Sequence, residues 1–225
     1  MRKVYRKILG FIIIICGIGY ITGNASIFNF NDKDNLLNVT AANGKEKILL
    51  VNEKHGLNGN YVPEGLSIPN IPFSKGAEDE EKHVAGTIVK PLEELVKAAK
   101  KDEITLLGNS GYRSYKSQKN VYDDRVKSQG KKLADAYVAK PGFSEHQTGL
   151  CIDITNKKAN LTKDSIEADW LAKNCHKFGF IIRYPYGKKK LTGIEYEPWH
   201  IRYVGKDAAK YIHDNGITLE EYLQK

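Results

Sequence analysis

The sequence predicts an α+β fold with a mainly antiparallel sheet flanked by helices. Short apolar runs that suit strands alternate with segments of helical periodicity, and the connections are too short for regular parallel crossovers. With 41% apolar and 28% charged residues, the composition is that of an ordinary globular protein. A chain of 225 residues is long enough for one domain with a hydrophobic core.

The first 25 residues predict a signal peptide or an N-terminal membrane anchor. MRKVYRK carries four positive charges, and no further charged residue follows before Asp32. The apolar core Ile8–Thr22 spans about fifteen residues, nearer to a signal-peptide core than to the roughly 20 residues of a spanning helix. Gly23-Asn24-Ala25 offers a small-x-small cleavage site, but an uncleaved anchor fits the same pattern. In both cases we expect an extracytoplasmic protein.

Between residues 26 and 101 the sequence predicts a tether, a strand, a surface segment and a helix. Residues 26–45 are rich in Asn, Asp, Gly and Ala and lack periodicity, which predicts a linker. KILLVNEKHGL begins with a strand-like apolar run, and YVPEGLSIPNIPF is broken by prolines. From about Glu80 to Lys101 apolar residues recur at helical spacing, and Pro91 is expected to kink or divide that helix.

Beyond residue 102, predicted strands and helices alternate. The strands are EITLLGNSGYRS with its turn, LCIDI, GFIIRYP and PWHIRYV, with a Gly- and Lys-rich loop between the last two. The predicted helices are residues 115–128, KKLADAYVA, residues 165–178, residues 206–215 and LEEYLQ.

Charge and cysteine content exclude two classes of protein. Half of the formal net charge of +8 lies in MRKVYRK, and GKKKL is the only lysine cluster of note in the remainder, so no nucleic-acid partner is expected. Only Cys151 and Cys175 follow the leader, which excludes a disulfide-rich scaffold. The two thiols either pair or remain free in the core.

Two short motifs carry the chemistry. In SEHQTGLCIDI, strand alternation places Cys151 and Asp153 on one face, and Gly149 permits a sharp turn that brings His146 to the same side. EYEPWHIRYV places Glu197 three residues before His200.

A catalytic zinc site commonly has three protein ligands and a nearby carboxylate base. His146, Asp153 and His200 would be the ligands and Glu197 the base. The alternative is that these residues are ordinary core and surface groups. GYRSYKSQ adds Arg113 and Gln118 at a predicted strand end, a position that aims an arginine into a cleft or into a salt bridge.

Four motifs together resemble one enzyme family. SGYRSYKSQ, PGFSEHQTGLCIDI, FGFIIRYP and YEPWHIRYVG occur in this order and resemble the zinc D-alanyl-D-alanine carboxypeptidases of the VanY type and their L,D-carboxypeptidase relatives. The resemblance runs from about Lys47 to Tyr211. It implies the Hedgehog/D-Ala-D-Ala metallopeptidase-like fold, with a zinc site in a cleft over the sheet and a catalytic domain over residues 46–225.

The resemblance also implies roles for individual residues. Zn²⁺ would be bound by His146, Asp153 and His200, with Glu197 as general base and Arg113 stabilising the oxyanion. Gln118, Ser144, Tyr184 and Trp199 match positions that line the substrate pocket of the family. Cys151 departs from the alanine that is usual at its position, and a thiol beside the metal cavity can bind the metal or be oxidised.

The expected function is removal of the C-terminal D-alanine from peptidoglycan stem peptides, by a monomeric bacterial enzyme secreted to the cell wall or anchored to the outer face of the membrane. An L,D-carboxypeptidase acting on the tetrapeptide and a D,D-dipeptidase stay open, because loops such as residues 61–73 and 187–196 would decide between them. From another class, a non-catalytic peptidoglycan-binding module with structural zinc also stays open, with Cys151 as its fourth ligand.

Overall fold

A four-stranded antiparallel sheet organises the part of the chain that the structure describes. The computed structural model describes residues 38–40 and 47–224. The sheet strands are β3 (Leu107–Ser110), β4 (Cys151–Thr155), β5 (Phe180–Tyr184) and β6 (Glu197–Tyr203). Their spatial order is β3-β4-β6-β5, and every neighbouring pair is antiparallel. The α+β class with an antiparallel sheet is therefore confirmed.

Beyond this sheet, the described residues form two further strands and seven helices. The short strands β1 (Asn38–Thr40) and β2 (Lys47–Leu49) pair with each other antiparallel. The helices are α1 (Gly86–Lys101), α2 (Tyr115–Gln129), α3 (Lys131–Tyr137), α4 (Ile166–Asn174), α5 (Lys189–Thr192), α6 (Lys206–Asn215) and α7 (Leu219–Leu223). Single 3₁₀ turns occur at Glu80–Lys82, Glu145–Thr148 and Cys175–Phe178.

Three of these elements differ from the sequence expectation. α1 begins at Gly86 rather than near residue 80, and it continues through Pro91 without division. The loop predicted before β6 contains the short helix α5. β1 lies inside the segment predicted as a tether, whereas residues 1–37 and 41–46, including the predicted signal or anchor, lie outside the described residues.

The main core lies between α1, α4 and one face of the sheet. α1 buries Ile88, Leu92 and Leu95 at helical spacing, and the sheet contributes Ile152 and Ile201 to the same cluster. Burial of each such side chain contributes about 1.5–3 kcal/mol before the entropy of ordering it is counted. This face fixes the orientation of β4 and β6, and the side chains that alternate with it point to the opposite face.

The opposite face combines a second apolar cluster with polar groups. Ile181 packs there with Ile48 of β2 and with α6 and α7 residues such as Ile212 and Leu219. Thr218 begins α7 with a reciprocal capping box that includes Glu221. β2 precedes the two motifs in the sequence, and α6 and α7 follow them. All three elements therefore pack against the same face of the sheet.

The free edge of β3 is covered by the proline-broken segment that precedes α1. Gly108 N donates to Pro72 O at 2.9 Å, and Ser74 N donates to Gly108 O at 2.8 Å. A side chain at Gly108 would lie 2.7 Å from the Phe73 ring, so glycine permits this close approach. The predicted surface segment thus forms a parallel bridge with the sheet.

Two other expectations concern thiols and the membrane. Cys151 and Cys175 are free and buried, which decides between the two possibilities left open above. Burial raises the pKa of the Cys175 thiol to about 12. Within residues 38–40 and 47–224, no helix combines the length and apolarity needed to cross a membrane.

Candidate active site

His146 is positioned by a tight turn between α3 and β4. The turn Glu145–Thr148 is a single 3₁₀ turn, and Gly149 ends it in the left-handed conformation, with φ of 64°. His146 Nδ1 lies 2.7 Å from Gly111 O, a contact that requires a proton on Nδ1. Nε2 of the ring is then the atom with a free lone pair, and it lies 3.6 Å from Asp153 Oδ2.

Gly149→Ala is expected to destabilise the protein by about 1–3 kcal/mol because a left-handed backbone is strained for alanine. The added Cβ would also lie 2.8 Å from Ala85 N, so the turn that carries His146 must move. Urea denaturation measures the loss. Gly65→Ala is the matched control, because Gly65 has φ of 63° and open space where a Cβ would be. Equal losses of unfolding free energy in the two variants would show that the close contact with Ala85 N adds nothing to the backbone strain.

Asp153 and His200 face each other across neighbouring strands. They are directly paired in the β4–β6 register, so their side chains share the sheet face opposite the main core. Asp153 Oδ1 lies 3.0 Å from His200 Nδ1. Oδ1 is a buried atom without a hydrogen-bond partner among the described residues. Both groups thus direct lone pairs towards a shared space.

Glu197 reaches this face because the pairing of β5 with β6 is irregular. Strict alternation would place Glu197 and His200 on opposite faces, since they are three residues apart. The register shifts between Ile182↔Ile201 and Tyr184↔Glu197, so the regular ladder is interrupted there and strict alternation does not apply between Glu197 and His200. Glu197 Oε2 consequently lies 3.9 Å from His200 Nδ1. Burial raises the pKa of Glu197 to about 8, although the neighbouring His200 opposes the shift.

Arg113 follows β3 and is held from three directions. Its Nε donates to Glu81 Oε1 at 2.6 Å, its Nη2 donates to Ser110 Oγ at 2.6 Å, and its Nη1 donates to Gln118 Oε1 at 3.0 Å. The Gln118 amide nitrogen donates in turn to Ala139 O at 2.6 Å. Gln118 therefore orients the guanidinium in this structure, a contact that the sequence did not indicate.

One cleft of about 410 Å³ brings all the predicted site residues together. Its lining includes the nine predicted site residues, which are Arg113, Gln118, Ser144, His146, Asp153, Tyr184, Glu197, Trp199 and His200. The Tyr184 ring lies 4.9 Å from the His200 ring, and Ser144 Oγ accepts from His146 N at 3.4 Å. Trp199 packs against the main core and also lines the cleft.

Comparison with known proteins identifies the family. The sequence model of VanY, described as D-alanyl-D-alanine carboxypeptidase, matches residues 81–206, which contain all nine of these residues. The chain belongs to the VanY family. Among curated relatives, the putative carboxypeptidase YodJ of Bacillus subtilis is 42% identical over 202 residues, covering 87% of this chain and 74% of YodJ.

Solved structures of similar proteins agree with the VanY assignment. The LdcB LD-carboxypeptidase matches with a TM-score of 0.73 and 44% identity, over 78% of this chain and 85% of LdcB. A mutant of the D,D-pentapeptidase VanY from a VanB-type resistance cassette, solved in complex with Zn(II), matches with a TM-score of 0.66 and 36% identity. That match covers 77% of this chain and 97% of VanY.

The donor set of the VanY cleft fits a divalent cation. Burial alone would lower the pKa of His200, but Cys151, Asp153 and Glu145 outweigh it and raise that pKa well above its usual value. A site that holds protons on a buried histidine has a negative potential, and the same potential favours a cation. Two ring nitrogens and one carboxylate are also the ligand types of catalytic zinc sites.

Cys151 is a further donor on the same face. Its Sγ and ring nitrogens of His146 and His200 form a group whose atoms lie within 4.8 Å of one another. Burial would raise the pKa of Cys151, but the two histidines lower it to about 7. Asp153 is not part of that compact group, yet Asp153 lines the cleft whereas Cys151 is fully buried and does not. Asp153 therefore stays the predicted third ligand, and Cys151 is a buried donor close to both histidines.

Sequence reasoning overlooked three residues of this VanY site. Glu81 and Ser110 hold Arg113, and Glu145 Oε2 lies 3.4 Å from His200 Nε2. Glu145 directly precedes His146, but its role depends on buried partners far along the chain. Adjacency to a predicted ligand was the only available signal, and it does not distinguish a surface glutamate from a buried one.

Proposed function

We propose that this chain is a zinc-dependent carboxypeptidase that removes the C-terminal D-alanine from peptidoglycan stem peptides. The observation that carries the proposal is the convergence of metal-ligand donors, a buried carboxylate and an arginine in one cleft. Family membership supports the same reaction class, since the family model is named D-alanyl-D-alanine carboxypeptidase.

His146, Asp153 and His200 are the residues that would hold the metal. When bound, zinc supplies Lewis acidity that lowers the pKa of water towards about 7. The protein contributes the orientation of its ligands: Gly111 O fixes the His146 ring, and Asp153 presents an unpartnered carboxylate oxygen. These contacts support a site that forms before the substrate arrives.

Glu197 is the proposed general base. Its carboxylate is buried beside the ligand His200, and its raised pKa, about 8, shows an environment in which the carboxylate readily takes up a proton. It would accept a proton from the attacking water and return it to the departing amine of D-alanine. A carboxylate that both takes and returns a proton is suited to hydrolysis of a peptide bond.

Arg113 is the proposed stabiliser of the tetrahedral intermediate. The negative charge that develops on the scissile carbonyl oxygen needs a donor that is already oriented. Its contacts with Glu81, Ser110 and Gln118 hold the guanidinium beside the cleft, so little reorganisation is required. Ser144, Tyr184 and Trp199 would contact the terminal residues of the peptide, with the two aromatic side chains as apolar surfaces.

An L,D-carboxypeptidase acting on the tetrapeptide is the second candidate. The observation that favours it is the comparison with LdcB, an LD-carboxypeptidase that is 44% identical, against 36% for the D,D-pentapeptidase VanY. Both reactions use the same catalytic groups. They differ in the stereochemistry of the residue that precedes the scissile bond.

We also propose an extracytoplasmic location and a monomeric state. The basic and apolar N-terminal segment supports export or anchoring, and a cell-wall substrate requires that the catalytic domain lie outside the cytoplasmic membrane. Fractionation of cells into membrane, wall and medium would test the location. Recovery of the folded protein in the cytoplasm would contradict it.

The function is tested by mass spectrometry of products from muramyl pentapeptide and tetrapeptide, with zinc-loaded protein and with chelator present. Zinc-dependent loss of one alanine from the pentapeptide alone is the expected result. Loss from the tetrapeptide would assign the L,D reaction instead. If neither peptide were cut although zinc was bound, the carboxypeptidase proposal would fail, and absence of cleavage of free D-Ala-D-Ala as well would indicate a non-catalytic binding module.

A further inference from the structure

Glu145 is a fully buried carboxylate in contact with a proposed metal ligand. Its Oε2 lies 3.4 Å from His200 Nε2. Its Oε1 accepts hydrogen bonds from Arg183 Nε at 2.7 Å and from Arg202 Nη1 at 2.5 Å. The two arginines are also fully buried, so the glutamate is held between two guanidinium groups and one imidazole.

The contact with Glu145 determines which ring nitrogen of His200 carries a proton. A carboxylate accepts hydrogen bonds and cannot donate them, so Nε2 must be the protonated nitrogen. In the neutral ring, the form that binds a metal, Nδ1 then has the lone pair, and Nδ1 is the atom that faces Asp153 at 3.0 Å. His146 shows the complementary arrangement, because its Nδ1 donates to Gly111 O and its Nε2 faces Asp153.

The support behind Glu145 extends to both ends of the described domain. Arg183 donates to Glu220 Oε1 at 2.6 Å and to Glu220 Oε2 at 3.0 Å, which connects the network to α7. Arg202 donates to Leu49 O at 2.6 Å, which connects it to β2. Two glutamates and two arginines balance in charge. Both arginines donate to Glu145 Oε1, which leaves Oε2 as the oxygen that faces His200.

We propose that Glu145 is a positioning residue that holds His200 with Nε2 protonated and so directs the Nδ1 lone pair to the metal. The inference rests on the proposed function only in naming His200 as a ligand. Glu145 contacts neither the substrate nor the metal in this role. Carboxylate partners of ligand histidines commonly account for 10–100-fold in metal affinity.

Glu145→Gln is the decisive variant because it keeps the shape of the side chain. The two guanidinium groups would attract the amide oxygen, which leaves the amide NH₂ facing His200 Nε2. A donor at that place favours an unprotonated Nε2 and a proton on Nδ1, the wrong atom for binding the metal. We expect zinc affinity, measured by competition with a chromophoric chelator, to fall about 10–100-fold.

Glu220→Gln is the matched control. It removes one carboxylate from the same buried network but does not contact His200. We expect this variant to lose thermal stability to a similar degree as Glu145→Gln while its zinc affinity stays within about threefold of the parent. If both variants lost zinc affinity equally, Glu145 would have only a structural role and the proposal would be overturned.

The ring nitrogens of His200 can be observed directly in zinc-loaded protein labelled with ¹⁵N-histidine. The expected spectrum has a protonated Nε2 and a metal-shifted Nδ1, and a parent protein in which His200 binds through Nε2 would overturn the proposal without any variant. Unchanged zinc affinity in a folded Glu145→Gln variant would overturn it as well. Neither readout requires hydrolysis, so failure to cut peptides would count against the proposed function and leave this inference standing.

Discussion

Glu197→Gln is expected to lower kcat by about 10²–10⁴-fold while zinc remains bound. Glutamine keeps the size of the side chain, and Glu197 is not one of the three proposed ligands. What it loses is the ability to accept a proton from water and to return it to the leaving amine. The buried setting beside His200, 3.9 Å away, is retained in the variant, so the change isolates the proton-transfer role.

The measurement combines release of D-alanine with metal content per protein. His200→Ala provides the contrast, since it removes a ligand and should lose both zinc and activity. Glu195→Gln is the matched control, because Glu195 is two residues away but exposed and paired with Lys189. Near-normal turnover by Glu197→Gln would show that another group is the base.

Arg113→Ala is expected to lower kcat by about 10²–10³-fold with a much smaller change in KM. The guanidinium would act on charge that exists only in the transition state, so its loss should affect turnover more than substrate binding. The variant also leaves Glu81 without its cation, and a fall in thermal stability is expected together with the kinetic effect. Steady-state kinetics and thermal unfolding measure the two effects separately.

Arg125→Ala is a suitable control for the arginine prediction. Arg125 lines the same cleft, but its side chain hydrogen bonds only Gln129 of its own helix among the contacts described for it. Its loss changes the charge of the cleft by the same amount without removing the oriented donor. If kcat fell equally in both variants, general electrostatics rather than a donor at the reacting oxygen would explain the effect.

Spacing along a regular strand was enough to predict the part of the site that lies on β4. Alternation in LCIDI places Ile152 and Ile154 in the core and Asp153 on the other face, and the structure has this arrangement. The turn at Gly149 was also predictable, since glycine before a strand permits a left-handed backbone.

Irregular pairing was beyond prediction from spacing. Glu197 lies close to His200 where the pairing of β5 with β6 is interrupted, and this depends on how the strands pair rather than on either motif. The partners of Glu145 are equally non-local, because Arg202 is 57 positions away along the chain. Single-motif reasoning therefore named residues that the fold brings into one cleft, and it missed the residues that hydrogen bond to them.

The helices that were predicted wrongly, α1 and α5, differ from the prediction for local reasons. The apolar spacing that predicts α1 starts earlier, but the chain before Gly86 forms a 3₁₀ turn whose Glu81 bonds Arg113. α5 lies in a Gly- and Lys-rich stretch that carries no helical periodicity, and only Thr192 of that helix is buried. Four residues are too few for a periodic signal.

The covered edge of β3 has a consequence for how other chains can approach this protein. Open strand edges recruit strands from other molecules, and this underlies both aggregation and the capture of extended peptides by strand addition. At Gly108 the backbone donor and acceptor are already used by Pro72 and Ser74, and β3 itself is only four residues long. A peptide therefore finds no free backbone ladder at that position, and strand addition to the sheet is blocked there.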